Sequence, residues 1–440
     1  MKVWNEEAEV VRRLALGAIV GFLIAINSDI LGRAGLLAVF VGGYFSIDVL
    51  EALLYRFKKN SYLMRQRDKG ELYTQVSMTR KDNDELVKAG FETYKDEKVF
   101  LSDAKPPKNP PVYVTTGTTT GRVGADEYWK NFKGKGVKVC VLDTGVDKNH
   151  LMMRGQVIAE KIFFKSRIGR TGKDWTPTDY NNHGTWVASA LAGKLFKKPH
   201  TSGIRTFRGI APEAKIINAK VLNKSGRGFA SSVLYGMDWA CQQGADIVSA
   251  SIGMGGHYQP IIDTIHTLQK KYGTIFVFSA GNAGERGGLS CPAYDPEIIA
   301  VGSIALKNPH DGFVADFSSR GNPDEKVERN IKPDFVTYGG SMQKVTKKNR
   351  LQPHYNMEWL ISACSSKKGD GVKATKGMIG TSMATPLISG MIALLMSRYG
   401  KQTQKFYKTK LAKMSTQVIG QPKGKNRNSG YGAPDLRKDV

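Results

Sequence analysis

The sequence is poor in acid: 39 aspartates and glutamates stand against 65 lysines and arginines, a formal charge of +26 over 440 residues. A surface so short of carboxylates favours anionic membranes, nucleic acid or acidic proteins as partners, and says nothing about the fold. Cysteine is scarce too. Cys140, Cys241, Cys291 and Cys364 form no Cys-x-x-Cys pair, which argues against a zinc site or a thioredoxin-like motif. Nothing in their spacing selects a disulfide, so reduced thiols are expected, with Cys140 buried in the apolar run 137–142. The apolar runs 14–26 and 34–47 each fall short of the roughly 20 residues that span a bilayer. What is present is ordinary for a globular chain: 41% hydrophobic and 24% charged residues with 48 glycines exclude wholesale disorder. The length allows one large domain plus an appendage.

The appendage begins with residues 1–59. Extending the two apolar runs to Leu31 and Leu54 reaches spanning length and admits Asp29, Asp48 and Glu51, which are tolerable only near the ends of a span. A membrane-associated helical hairpin within 14–54 is therefore expected, with an amphipathic pair packed on protein as the competing arrangement. Glu6, Glu7 and Glu9 before the first run, and no Ala-x-Ala after it, disfavour a cleaved signal peptide. Arg12 and Arg13 precede the hairpin and Arg56, Lys58 and Lys59 follow it, with only Arg33 between. The positive-inside rule then puts both ends, and the rest of the chain, on the cytoplasmic side; a secreted or cell-surface form is the alternative.

Residues 60–104 read as a small α+β segment, strand-like over 73–78 and 91–101 and helix-like over 83–89. Proline and lysine over 105–111, then threonine and glycine over 115–121, predict a flexible linker at 105–121, where nicking would be easiest. From Gly134 onward the pattern changes. Short β-branched runs at 137–142, 216–222, 247–252, 274–279 and 298–301 are apolar on both faces, as strands of a buried parallel sheet are. Between them 231–243 and 260–272 have helical length, so the class is α/β with a mostly parallel central sheet. Functional groups in that architecture gather where strands end.

Asp143-Thr144-Gly145 closes one such strand. Aspartic proteases carry Asp-Thr-Gly as well, but they need two carboxylates sharing a proton, and no second copy exists here. Asn182-His183-Gly184-Thr185 opens a helix-like stretch with small residues on one side. Gly380-Thr381-Ser382-Met383-Ala384-Thr385-Pro386 sets a serine at the mouth of an apolar helix, among side chains small enough for a substrate carbonyl to approach. Its proline reads as part of the first helical turn, where proline is tolerated. Ser279-Ala280-Gly281-Asn282-Ala283-Gly284 ends a strand with an amide between small residues. Singly these are a structural histidine, a helix-capping serine and a turn asparagine. Together, in the order Asp, His, Asn, Ser, they resemble the subtilase family of subtilisin-like serine proteases, over about 134–433.

That resemblance implies a subtilisin-like three-layer fold for 122–440, preceded by the hairpin and a short propeptide-like segment. It also implies a serine endopeptidase working through an acyl-enzyme. His183, with a reference pKa of ~6.5, would be the base for Ser382, and Asp143 would hold the imidazole. Asn282 and the Ser382 N–H would form the oxyanion hole. Gly226, Arg227, Gly228 and Ser251, Ile252, Gly253 would pair with an extended protein or peptide substrate, and Ala280, Gly281 and Ala283 would line a pocket. The catalytic domain is expected to be monomeric. No specific nucleic acid is expected, since the basic residues lack interleaved aromatics. The family's calcium-binding aspartate is missing after His150, where Leu151-Met152-Met153 stands, and 193–209 is rich in lysine and arginine. No metal or cofactor is therefore expected for catalysis, and structural calcium is not anticipated. A basic insertion is expected over about 341–355, and self-cleavage between Lys105 and Gly121. The competing reading is a catalytically silent membrane or scaffold protein that retains a subtilase domain.

Overall fold

The computed structural model describes residues 60–66, 72–101, 112–163, 176–201, 203–305, 313–341, 358–365, 371–418 and 420–439. The hairpin expected over 14–54, the segment 102–111 and nearly all of the insertion expected at 341–355 lie outside them. Among the described residues no helix is long and apolar enough to cross a membrane.

The first unit is a three-stranded sheet with one helix. Strands β1 (Asn60–Gln66), β2 (Thr74–Met78) and β3 (Phe91–Lys95) pair antiparallel in the order β2-β1-β3, and helix α1 (Arg80–Lys88) links β2 to β3. Thr79 starts α1 as a reciprocal cap: its hydroxyl accepts from the Asp82 N–H, and the Asp82 carboxylate accepts from its own N–H. The strand expected over 91–101 is two strands, because Asp96 and Glu97 turn the chain into β4 (Lys98–Leu101).

The sequence-based linker at 105–121 requires correction over its second half. Residues 112–115 form β5 (Val112–Thr115), and α2 (Thr116–Arg122) follows it directly. The threonines that looked like loop composition stitch the helix instead, Thr119 Oγ1 donating to Thr116 O at 2.9 Å and Thr120 Oγ1 to Gly117 O at 2.7 Å. Gly117 is required by packing, since a Cβ there would sit 2.4 Å from Thr206 O.

The central sheet contains β6 (Lys138–Asp143), β7 (Val157–Ile162), β10 (Lys215–Lys220), β12 (Ile247–Ala250), β14 (Ile275–Ser279), β15 (Ile299–Ile304) and β16 (Phe335–Tyr338). Their spatial order is β16-β15-β14-β12-β6-β10-β7 and every pairing is parallel. Helices cover both faces. α3 (His183–Ala192) and α6 (Thr381–Tyr399) join the larger apolar core, while α4 (Ala230–Gln242) and α5 (Gln259–Tyr272) close the other. Burial of α6 on all sides from Thr381 to Met396 makes it the central helix of its layer. Between α3 and β10 the chain forms a basic hairpin, β8 (Phe196–His200) with β9 (Gly203–Phe207). Smaller strands complete the picture: β11 (Arg227–Phe229), β13 (Ile252–Gly253), β17 (Glu358–Ala363) and β18 (Thr375–Met378), the last two forming a sheet with β5. All four cysteines are buried, and Cys140, Cys241 and Cys291 are free thiols.

Helix α7 (Gln404–Met414) packs beneath an ionic cluster. Asp334, fully buried, meets Lys332 at 2.6 Å, Lys408 at 2.6 Å and Lys425 at 3.5 Å. Burial alone would raise this carboxyl, but the three ammonium groups and a backbone N–H overcome it and hold it at about 2. Burial likewise pulls Lys332 down to about 8.

Candidate active site

Asp143 is the last residue of β6, a strand in which Val139 to Asp143 are all buried. Its neighbour Thr144 donates its N–H to Asp143 Oδ1 at 2.7 Å, which fixes the carboxylate. Both carboxylate oxygens face His183 Nδ1, at 2.8 and 2.9 Å. The imidazole is fully buried as the first residue of α3. Gly145 and Gly184 let the two elements approach, because a Cβ on Gly184 would stand 2.1 Å from Gly145 O.

α3 begins without a side-chain cap from its own N-cap residue, Asn182, which takes the left-handed φ of +93°. The exposed ends of its backbone are met from elsewhere. Asp179 Oδ2 accepts from Thr185 N at 2.9 Å, and Thr144 Oγ1 accepts from Gly184 N at 3.0 Å. Asp179 is fully buried, and burial raises its carboxyl above the usual range. The sequence reading passed over Asp179 and Thr144. An aspartate just ahead of a helix is a start signal that would have found the first.

Ser382 is the second residue of α6, where backbone N–H groups point out of the helix end. Its Oγ donates to Ser251 O at 3.1 Å, and Ser251 Oγ donates back to Ser382 O at 2.8 Å. Pro386 accounts for the second bond. The helix starts at Thr381, so Pro386 lies beyond the first turn, contrary to the sequence expectation, and cannot supply the N–H that Ser382 O would receive from residue 386. Asn282 follows β14 and lies against the same helix end: its Oδ1 accepts from Thr381 N and Thr381 Oγ1, each at 3.0 Å. Those donors identify Oδ1 as the carbonyl, so the amide NH2 is on the opposite side.

Of the residues expected to pair with substrate, those at 226–228 and 252–253 do meet a chain, and it is this protein's own, whereas Ser251 bonds to Ser382 instead. β4 runs antiparallel between β11 and β13, with Phe100 opposite both Arg227 and Gly253, Val99 opposite Gly228, and Leu101 opposite Ile252. Val99 is buried, and Leu101 N donates to Gly226 O at 3.2 Å. Gly226 has φ +70°, a left-handed value that favours glycine, and a Cβ on it would press on the Leu101 side chain, 2.6 Å from Cδ1.

The expected pocket wall is formed as a turn. Gly281 N donates to Thr381 Oγ1 at 3.2 Å, Ala283 N donates to Ser319 Oγ at 3.1 Å, and Ala280 is fully buried. Ser290 Oγ would lie 2.3 Å from a Cβ on Gly281, so this serine closes that side of the turn. Cys291 is buried and bridges to Met254.

Residues 134–432 match the subtilase family of peptidases, S8. The chain is 32% identical over 281 residues to the major intracellular serine protease of Bacillus subtilis (strain 168), covering 62% of this chain and 73% of that one. It is 27% identical over 290 residues to thermitase of Thermoactinomyces vulgaris, covering 66% and 85% respectively. In fold it is similar to fervidolysin from Fervidobacterium pennivorans, with a TM-score of 0.65 and 21% identity over 86% of this chain and 60% of that one. With the family matched over most of its length, on a seven-stranded parallel sheet that brings Asp143 to His183, the chain belongs to the subtilases, serine endopeptidases of the subtilisin type.

Proposed function

We propose that Asp143, His183 and Ser382 are the catalytic triad, and that the arrangement described is the latent form, with the enzyme's own β4 in the substrate cleft. The observation that carries the triad is the pair of contacts, 2.8 and 2.9 Å, from the Asp143 carboxylate to His183 Nδ1. A carboxylate there keeps the proton on Nδ1 and leaves the Nε2 lone pair to act as base. Ser382 Oγ loses its proton to Nε2 as it attacks the substrate carbonyl, and the same proton then passes to the leaving amine, giving the acyl-enzyme. Water repeats the sequence and releases the acid. Asn282 Nδ2 and Ser382 N would donate to the oxygen as it gains charge, and loss of such an asparagine in subtilisin itself costs about 2.7–4 kcal/mol.

Protein substrates would lie as β4 does, held mainly through main-chain bonds to 226–228 and 251–253. Self-cleavage beyond β4 would vacate the cleft. The ordering of 112–121 narrows the earlier expectation to 105–111, outside the described residues. A tether through 14–54 and a cytoplasmic catalytic domain rest on hydropathy and charge alone, and flotation with and without residues 1–60 tests them. We read the catalytic domain as monomeric and active without a metal.

Casein cleavage by the wild-type chain is to be compared with Ser382→Ala, alongside an organophosphonate active-site label. Cleavage and labelling both lost in Ser382→Ala are expected. Undiminished cleavage by that variant overturns the triad and points to another nucleophile, whereas a wild-type chain that neither cleaves nor labels leaves the silent scaffold.

A further inference from the structure

We infer that Asp179 is a positioning residue for the base: one buried carboxylate locks the end of β6 to the start of α3 and supports the charge that His183 acquires during turnover. The inference rests on His183 being that base.

Asp179 is fully shielded from solvent and accepts from four donors. Oδ1 receives Thr144 Oγ1 at 3.0 Å, Asn181 N at 2.8 Å and Asn182 N at 2.9 Å, and Oδ2 receives Thr185 N at 2.9 Å. Burial pulls this carboxyl upward, but every one of these partners is a donor, and their bonds oppose burial and favour the ionised carboxylate. Its hold on Thr144 matters most. By accepting the hydroxyl proton, Asp179 turns the Thr144 lone pairs toward Gly184 N at 3.0 Å, while Thr144 N holds Asp143 at 2.7 Å. A continuous chain of bonds thus runs from Asp143 through Thr144 and Asp179 to the backbone on both sides of His183.

The loop carrying Asp179 is itself anchored. Pro177 O accepts from Val146 N at 3.2 Å and Asn218 Nδ2 at 3.0 Å, and the buried Lys220 donates to Thr178 O at 2.9 Å. With no acidic residue in the first turn of α3, the helix presents its positive end beside an imidazole that must become positive. Asp179 offsets that field. The other charged groups at this corner include Asp143 from β6, Asp147 from the turn after it, whose N–H donates to Thr185 Oγ1 at 3.0 Å, and Lys220 from β10.

Asp179→Asn, of equal size, turns one acceptor into a donor facing a donor and removes the charge. With the full chain activated and assayed on a peptide amide, kcat should fall about 10-fold or more with KM within about twofold, because the cleft strands are untouched. The acidic limb of the kcat/KM profile should move to lower pH, since an imidazolium that has lost a nearby anion forms less readily. A merely structural role would not move that limb. Wild-type kcat, or an unmoved limb, overturns the inference. Should Asp179→Asn fail to fold, Thr144→Val severs the same link and keeps the carboxylate. Its kcat should fall with the limb in place, and wild-type kcat in that variant overturns the inference. Cleavage surviving in both His183→Ala and Ser382→Ala removes the triad itself, whereas inactive triad variants beside a wild-type Asp179→Asn remove only this step.

Discussion

Ser251 and Ser382 exchange hydrogen bonds in both directions, and the second of these stands in for the one that Pro386 withholds. Ser251→Ala should leave Ser382 O buried without that donor, a loss of about 1–3 kcal/mol. Restoring an N–H with Pro386→Ala should recover part of it, so the two substitutions should be non-additive. Thermal melts of the four combinations in a Ser382→Ala background, which prevents autolysis, measure the coupling. Strict additivity would mean that the replacement bond has no energetic role.

Asp96 should control release of the N-terminal unit. Its carboxylate accepts from Ser231 N at 2.9 Å and Ser231 Oγ at 2.7 Å, while Glu97 O accepts from Ala230 N at 2.8 Å, so the segment ahead of β4 caps α4. Bonds to a charged group are worth about 1.5–3 kcal/mol. Asp96→Ala should therefore shorten the lag before the full chain cleaves casein. An unchanged lag would show that the cap does not limit activation.

Acid should loosen the Asp334 cluster. The folded carboxyl, held at about 2, lies below its ordinary value of 3.8, so its contribution is complete above that ordinary value and disappears as pH falls through about 2. Asp334→Asn leaves three ammonium groups without their counter-charge, at a loss of about 3–5 kcal/mol near neutrality. The gap in melting temperature between Ser382→Ala and Ser382→Ala/Asp334→Asn should be wide at pH 7 and narrow progressively below pH 4. A gap constant with pH contradicts the assignment.

Chelation should have little effect. The region where calcium was not anticipated folds as the β8–β9 hairpin, with Lys197, Lys198 and Arg205 on it. Among the described residues no group of three or more His, Cys, Asp or Glu side chains is placed to hold a metal. Excess EGTA should leave casein cleavage and the melting temperature unchanged, and a loss reversed by added calcium would refute this.

Five strands of the central sheet were legible because they are buried on both faces, whereas β7 is only partly buried. β6 and β14 stand within about a residue of the runs that predicted them, and β12 begins at Ile247 as its run does. Asp143, His183, Asn282 and Ser382 were legible because glycine and small residues surround each one. β1 was not, since Leu63 is the one side chain among its described ones to be fully buried, and Tyr62, Leu63 and Met64 run together without an alternating period. α2 was misread for a related reason: whether threonine and glycine make a loop or a helix depends here on Thr206, a residue far along the chain. Asp179 could be found as a helix-start signal, but its link to Thr144 forms only once β6 and α3 have docked.

β11 and β13 do not pair with each other; among the described residues each has β4 as its only strand partner. Once that middle strand leaves, two rows of peptide groups face water across a gap one strand wide. The activated enzyme is then an unfinished sheet that any extended polypeptide completes, including a loosened loop of another copy. Crowding at low substrate should therefore promote mutual digestion, and abundant substrate should protect the enzyme simply by occupying the gap.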